Sequence, residues 1–234
     1  MSADTNYNVP QVQAVKIEST DEYPANTVVR LIAVTEKGPY LCSGTLIAPD
    51  LVLTAAHCLV RDGVWFKRLR VTVPSTDETI QAINAVVPTV FLRRSWALYD
   101  FALVKLENSA KQGAPILDTY HLTPDSKQTV VGEKIRLIGF PKGDPDSLYE
   151  VSCDVSQGTF HWLLFYGCDV EQGMSGGLLY LEENEETIQI SVASKGFKAL
   201  RIGPTLLAWS PYFSPDVRMS LKTMRQLWTT GSSS

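Results

Sequence analysis

The chain has 234 residues, 44% of them hydrophobic and 20% charged, enough for one large or two small domains around a sizeable core. It holds no apolar run of the roughly 18 residues that a membrane-spanning helix needs. Its formal charge of −4 and pI near 5.4 argue against phosphate-backbone binding as a main task. Neither a membrane nor a nucleic acid is therefore an expected partner.

The first residues, MSADTNYNVPQVQ, are polar and lack an apolar signal core. Residues 1–24 are read as an N-terminal extension or pro-segment of a chain whose leader has been removed. Short alternating or β-branched runs then follow: TVVRLIAV, YLCSGTLIA, LVLTA, LRVTV and FALVKLE, later KIRLIGF, GLLYLE, IQISVAS and PTLLAW. Each reads as a strand, with Gly, Pro, Asn and Asp clusters between them, so the chain is expected to be all-β. Residues 108–132 are less regular and rich in turn residues, and read as a connector between β halves at about 25–107 and 133–210. Dividing the connector gives units at 25–118 and 119–212. One helix is expected over 213–230, with Ser214 as cap, Pro215 in the first turn and Asp216 facing the dipole. Val217, Leu221, Met224 and Trp228 share one of its faces, the pattern of a helix docked on the β body. The closing residues 231–234, GSSS, read as a flexible tail.

Four cysteines are present and no CxxC, so redox-motif and zinc-ribbon readings are weak. They fall as an early and a late pair, which suggests Cys42–Cys58 and Cys153–Cys168 among three possible pairings. Each short loop would contribute about 3 kcal/mol, and such bridges imply an oxidising compartment, secreted or periplasmic. Four reduced, buried thiols are the alternative.

Three stretches carry candidate chemistry. In LTAAHCLV, His57 follows small alanines and precedes a cysteine; small residues permit close packing, and a general base needs a fixed ring. In YDFALVKL, Asp100 enters an apolar strand, where a buried carboxylate needs a partner such as a histidine N–H. In DVEQGMSGGLLY, Gly173, Gly176 and Gly177 bracket Ser175, and glycines permit dihedrals that aim successive amides inward as an oxyanion hole. Each signal is weak alone; together they are specific.

The segments CSGTLIAPDLVLTAAHC, YDFALVKL and GCDVEQGMSGGLLY resemble the trypsin-like (chymotrypsin-fold) serine endopeptidases over residues 28–210. The resemblance implies two six-stranded antiparallel β-barrels with the site in the cleft between them, and a C-terminal helix. It implies His57 as general base, Asp100 as its orienter, Ser175 as nucleophile, and the Gly173 and Ser175 amides as oxyanion hole. Animal trypsins have an aspartate before the serine, which pairs with a freed N-terminal amine. Met174 stands there and cannot form that pair. An uncharged residue at this point is closer to the bacterial glutamyl-endopeptidase-like (V8-like) branch.

By the same resemblance the substrate pocket is lined by Asp169, Ser194, Lys195 and Gly196. Asp169 lies where trypsin selects basic residues; Lys195 or Lys198 would favour acidic ones; an apolar or broad preference is the third alternative. The expected reaction is peptide hydrolysis through an acyl-enzyme, on protein or peptide substrates, by a monomer with no metal or organic cofactor. It needs neutral imidazole, so activity is expected to fall as pH drops below about 6.5 to 7. Two rivals are a catalytically silent pseudo-peptidase that binds partners, and a metal module built on Cys42, His57 and Cys58, whose adjacent Cys and His suit one ion poorly.

Overall fold

The computed structural model describes residues 14–35, 38–61, 63–110, 132–155, 159–160, 163–168, 170–183, 186–202, 205–211 and 215–229. Asp169, most of the expected connector, Ser214 and the 231–234 tail lie outside these described residues.

After a two-residue strand β1 (Val15–Lys16), the first half contains β2 (Val28–Thr35), β3 (Gly38–Ala48), β4 (Leu51–Thr54), the short pair β5 (Val60–Arg61) and β6 (Val64–Trp65), β7 (Arg68–Val73), β8 (Glu78–Val86), helix α1 (Thr89–Arg94) and β9 (Ala102–Leu106). Strands β2, β3, β4, β9, β8 and β7 close, in that order, into a six-stranded barrel. Period-two alternation drives the closure: Leu69, Val71 and Val73 of β7 and Leu31 and Ala33 of β2 point inward, while Arg68 and Arg70 face water. Closure also removes the edges at which an open sheet would pair with other chains.

The second half contains β10 (Lys134–Gly139), β11 (Tyr149–Asp154), β12 (Thr159–Phe160), β13 (Leu163–Tyr166), β14 (Leu178–Glu183), β15 (Glu186–Val192), β16 (Lys195–Ile202) and β17 (Thr205–Pro211). Among the described residues these form a five-stranded sheet, β1-β11-β10-β14-β15, and a four-stranded sheet, β12-β13-β17-β16. Both cover one core of Ile135, Leu137, Val151, Leu164, Tyr166 and Leu179. Strand β1, from the segment read as an extension, is part of this half. It pairs with β11, and the Ile17 amide donates to the Leu148 carbonyl at 2.8 Å.

Helix α2 (Pro215–Thr229) closes the described chain. Its predicted face is buried, with Val217, Leu221 and Met224 in the first half's core and Trp228 packed against it. The last helix of the chain thus docks on the first half, near β9. Replacing Leu221 with alanine is expected to cost about 2–5 kcal/mol, read as a lower denaturation midpoint. Met219→Ala, on the exposed face, is expected to stay within about 0.5 kcal/mol of the parent.

Candidate active site

His57 sits on the single turn 56–58 that follows β4. Ala55 and Ala56 are wholly buried beneath it, a path only small side chains allow. Cys58 is bridged to Cys42 on β3. The backbone amide of His57 donates to Asp100 Oδ1 at 2.9 Å, and its Nδ1 lies 2.7 Å from Asp100 Oδ2. An ionised carboxylate only accepts, so Nδ1 carries the proton and Nε2 is left as the basic nitrogen.

Asp100 follows the turn 97–99 and precedes β9. It is fully buried. Burial alone would raise its carboxyl. The charge of His57, the hydrogen bonds from its ring and from the Ser194 hydroxyl, and the His57 amide together outweigh burial and hold Asp100 below the usual carboxylate value. Ser194, just after β15, is itself anchored: its amide donates to Ser210 Oγ at 3.1 Å, and Ser210 Oγ lies 2.8 Å from the Tyr166 hydroxyl. Burial pushes the Tyr166 phenol up, so it stays a neutral hydrogen-bonding group. The carboxylate is therefore held by donors from both halves of the molecule.

Ser175 lies half-buried in the loop between β13 and β14. Its Oγ donates to the Ser194 carbonyl at 3.3 Å, and its carbonyl oxygen is 3.6 Å from Cys58 Sγ. Among the described residues no hydrogen bond joins Ser175 Oγ to His57. The structure pairs His57 with Asp100 and brings Ser175 to Ser194, which touches both groups.

The loop is shaped by glycine and pinned by the first barrel. Gly173 has φ +98°, and a Cβ there would overlap the Phe140 carbonyl and lie 2.8 Å from the Lys142 nitrogen. Ser43 on β3 joins three pieces. Its amide donates to the Ser175 carbonyl at 2.7 Å, its hydroxyl donates to the Gly173 carbonyl at 2.9 Å, and the same hydroxyl accepts from the Phe140 amide at 2.8 Å. Sequence reasoning missed Ser43; the sole signal was a hydroxyl residue beside Cys42. Among the described residues no acceptor takes the amide of Gly173 or Ser175, so both are unengaged. Met174 is fully buried in the second core. Packing stands where trypsins use an ion pair. The Cys153–Cys168 bridge ties β11 to the chain just ahead of the loop.

Of the residues expected to line the substrate pocket, Ser194 is buried, with its hydroxyl committed to Asp100. Lys195 and Gly196 open β16, opposite Trp209 and Ala208. Among the described residues, Cys42, His57 and Cys58 are the one grouping of three possible metal ligands. The two sulfurs are joined to each other, so neither is a thiolate and the metal-module reading loses its donors.

The pattern of the trypsin-like peptidase domain matches residues 42–186. Serine protease 23 of Homo sapiens is 27% identical over 188 residues, covering 68% of this chain and 46% of that protein. Snake venom serine proteinase 4a of Crotalus adamanteus is 28% identical over 137 residues, covering 56% of this chain and 50% of that protein. The chain spans about half the length of these curated relatives. A solved Glu endopeptidase superposes with a TM-score of 0.75 at 19% identity, over 92% of this chain and 98% of that one. The thermostable serine protease AL20 gives 0.67 at 19% identity, over 83% and 94%. At these identities the structural likeness is one of fold. With a family pattern that runs through His57, Asp100 and Ser175, and a fold shared with serine proteases, the chain belongs to the trypsin-like peptidase domain family.

Proposed function

We propose that the chain is a serine endopeptidase working through an acyl-enzyme, with Ser175 as nucleophile, His57 as general base and Asp100 as its orienter. One observation carries this reading: a buried carboxylate fixes the His57 tautomer while Ser194 links that carboxylate to Ser175. Among the described residues no bond engages His57 Nε2 or the Gly173 and Ser175 amides, which supports a base and oxyanion donors kept open for a substrate. The two disulfides support a secreted or periplasmic location.

In the first step Ser175 Oγ leaves the Ser194 carbonyl and turns to His57 Nε2. At 3.3 Å that resting bond is long for an O–H···O contact and gives way readily. Oγ attacks the scissile carbonyl carbon as its proton passes to Nε2. The new C–O bond places a negative charge on the former carbonyl oxygen, which the Gly173 and Ser175 amides receive. Asp100 meets the imidazolium with its own charge and keeps the Nδ1 proton in place. Nε2 then protonates the departing amine as the C–N bond breaks, leaving an ester on Ser175. Water, deprotonated by the same nitrogen, attacks the ester carbon; the bond to Ser175 Oγ breaks, Oγ takes the proton back from Nε2, and the acid leaves.

A fluorophosphonate probe is expected to add one adduct mass on Ser175, and Ser175→Ala is expected to lose both adduct and peptide cleavage. A parent chain that neither takes the probe nor cuts peptides would instead be the silent, partner-binding relative.

A further inference from the structure

Beside Ser175 lies a groove of about 590 Å³, lined by Tyr40, Leu41, Arg61, Lys142, Gln172 and Gly173 among others. Among the described residues Val192, Ala193 and Ser194 do not line it, which sets it apart from that part of the pocket expected along 192–197. Its floor is half-buried Tyr40 and Leu41, and its rim carries the exposed cations Arg61 and Lys142. Among the described residues no carboxylate lines it, although the chain as a whole carries a charge of −4.

Two of the described acids near it are engaged elsewhere. Asp146 pairs with Arg30, which also donates to the Pro145 carbonyl at 2.8 Å. Asp144 accepts from the Tyr149 hydroxyl at 3.1 Å and lies 3.7 Å from Lys16 of β1. Glu171 lies toward Gly143. Among the described residues neither Arg61 nor Lys142 has an ion-pair partner. Two uncommitted cations flank a groove that runs into the nucleophile loop.

Resting on the peptidase reading, we propose that this groove selects an acidic side chain on the leaving-group side of the scissile bond. The residue whose carbonyl is attacked enters the pocket along 192–197. The chain beyond the bond then crosses Ser175 onto Leu41 and passes between Arg61 and Lys142. An aspartate or glutamate at the first or second position past the cut meets both cations, and a lysine or arginine there is repelled. The aliphatic stem of either acid packs on Tyr40 and Leu41. Because both cations are solvent-exposed, the selectivity is moderate and falls as salt screens it.

Digestion of a proteome-derived peptide library by the full chain tests this. The expected result is an enrichment of acidic over basic residues by about threefold to twentyfold at one of those two positions, shrinking in high salt. Arg61→Gln and Lys142→Gln should each lower the acidic-to-basic ratio, and the double reversal Arg61→Glu, Lys142→Glu should invert it. Cleavage with no leaving-side preference, or a preference that survives the double reversal, overturns the inference and leaves the peptidase reading standing. A parent chain that cuts no peptide overturns both.

Discussion

Replacing Asp100 by asparagine is expected to lower kcat by about ten-thousand-fold while leaving the fold in place. The reason lies in the donors around the carboxylate. Oδ1 accepts the His57 backbone amide, and Oδ2 accepts His57 Nδ1 and the Ser194 hydroxyl. An asparagine must keep its oxygen on the backbone amide, because that N–H cannot become an acceptor. Its NH2 group then faces Nδ1 and Ser194. The serine hydroxyl can rotate and accept, but Nδ1 can accept only by giving up its proton to Nε2. The ring is thereby locked in the tautomer that cannot take a proton from Ser175. Steady-state kinetics on a library-derived peptide check this: kcat collapses and KM moves little. A loss of less than tenfold would remove Asp100 from the orienting role.

The same substitution separates a stability effect. The folded-state pKa of Asp100 is lowered, while an unfolded aspartate titrates near 3.9. The contribution of this carboxylate is therefore complete above that value and is lost as pH falls through the lowered folded value. The stability gap between parent and Asp100→Asn is expected to be constant at neutral pH and to close below about pH 4. Denaturant unfolding across the acid range measures it.

Gly176→Ala is expected to destabilise the protein by about 2–5 kcal/mol and to abolish probe labelling of Ser175, combining about 1–2 for the left-handed backbone with about 1–3 for overpacking. At φ +83° an alanine Cβ would drive into Thr54 Oγ1 and the Ser43 carbonyl, and lie 3.0 Å from the Ala55 nitrogen. Thr54 cannot yield easily, because its hydroxyl donates to the Ser43 carbonyl at 2.7 Å. Gly63→Ala is the control: its φ is +77°, with nothing within 4 Å of the added carbon. It should show the backbone cost alone and keep full labelling. Equal losses in the two variants would mean that close approach at Gly176 contributes nothing.

The nine apolar runs picked out by alternation all became strands, and the Val217–Trp228 stripe became the buried face of α2. Strands with little apolar signal were illegible. In β8 only Ile80 is buried among Thr79, Gln81 and Asn84, and β11 mixes Val151 and Cys153 with Glu150, Ser152 and Asp154. These strands are specified by their neighbours' hydrogen bonds more than by their own side chains. In the site, His57 and Asp100 were legible because each needs an unusual local setting that leaves a mark in sequence. Ser43 and the Asp100 contact of Ser194 were not, since a serine hydroxyl bonding across 94 or more positions leaves no local pattern. Ser194 was read as a pocket residue from resemblance, and its hydroxyl's contact with the carboxylate was not foreseen.

Ser43, made early in the chain, holds a loop made some 130 positions later. The imidazole, its carboxylate and the anchoring Ser43 all belong to the first half, and the serine loop belongs to the second. Until the two halves meet, the Gly173 carbonyl has no Ser43 hydroxyl, and Asp100 lacks one of its three donors. The candidate site is thus a property of the assembled halves: any variant that loosens their packing removes the loop's anchor and the carboxylate's third donor together.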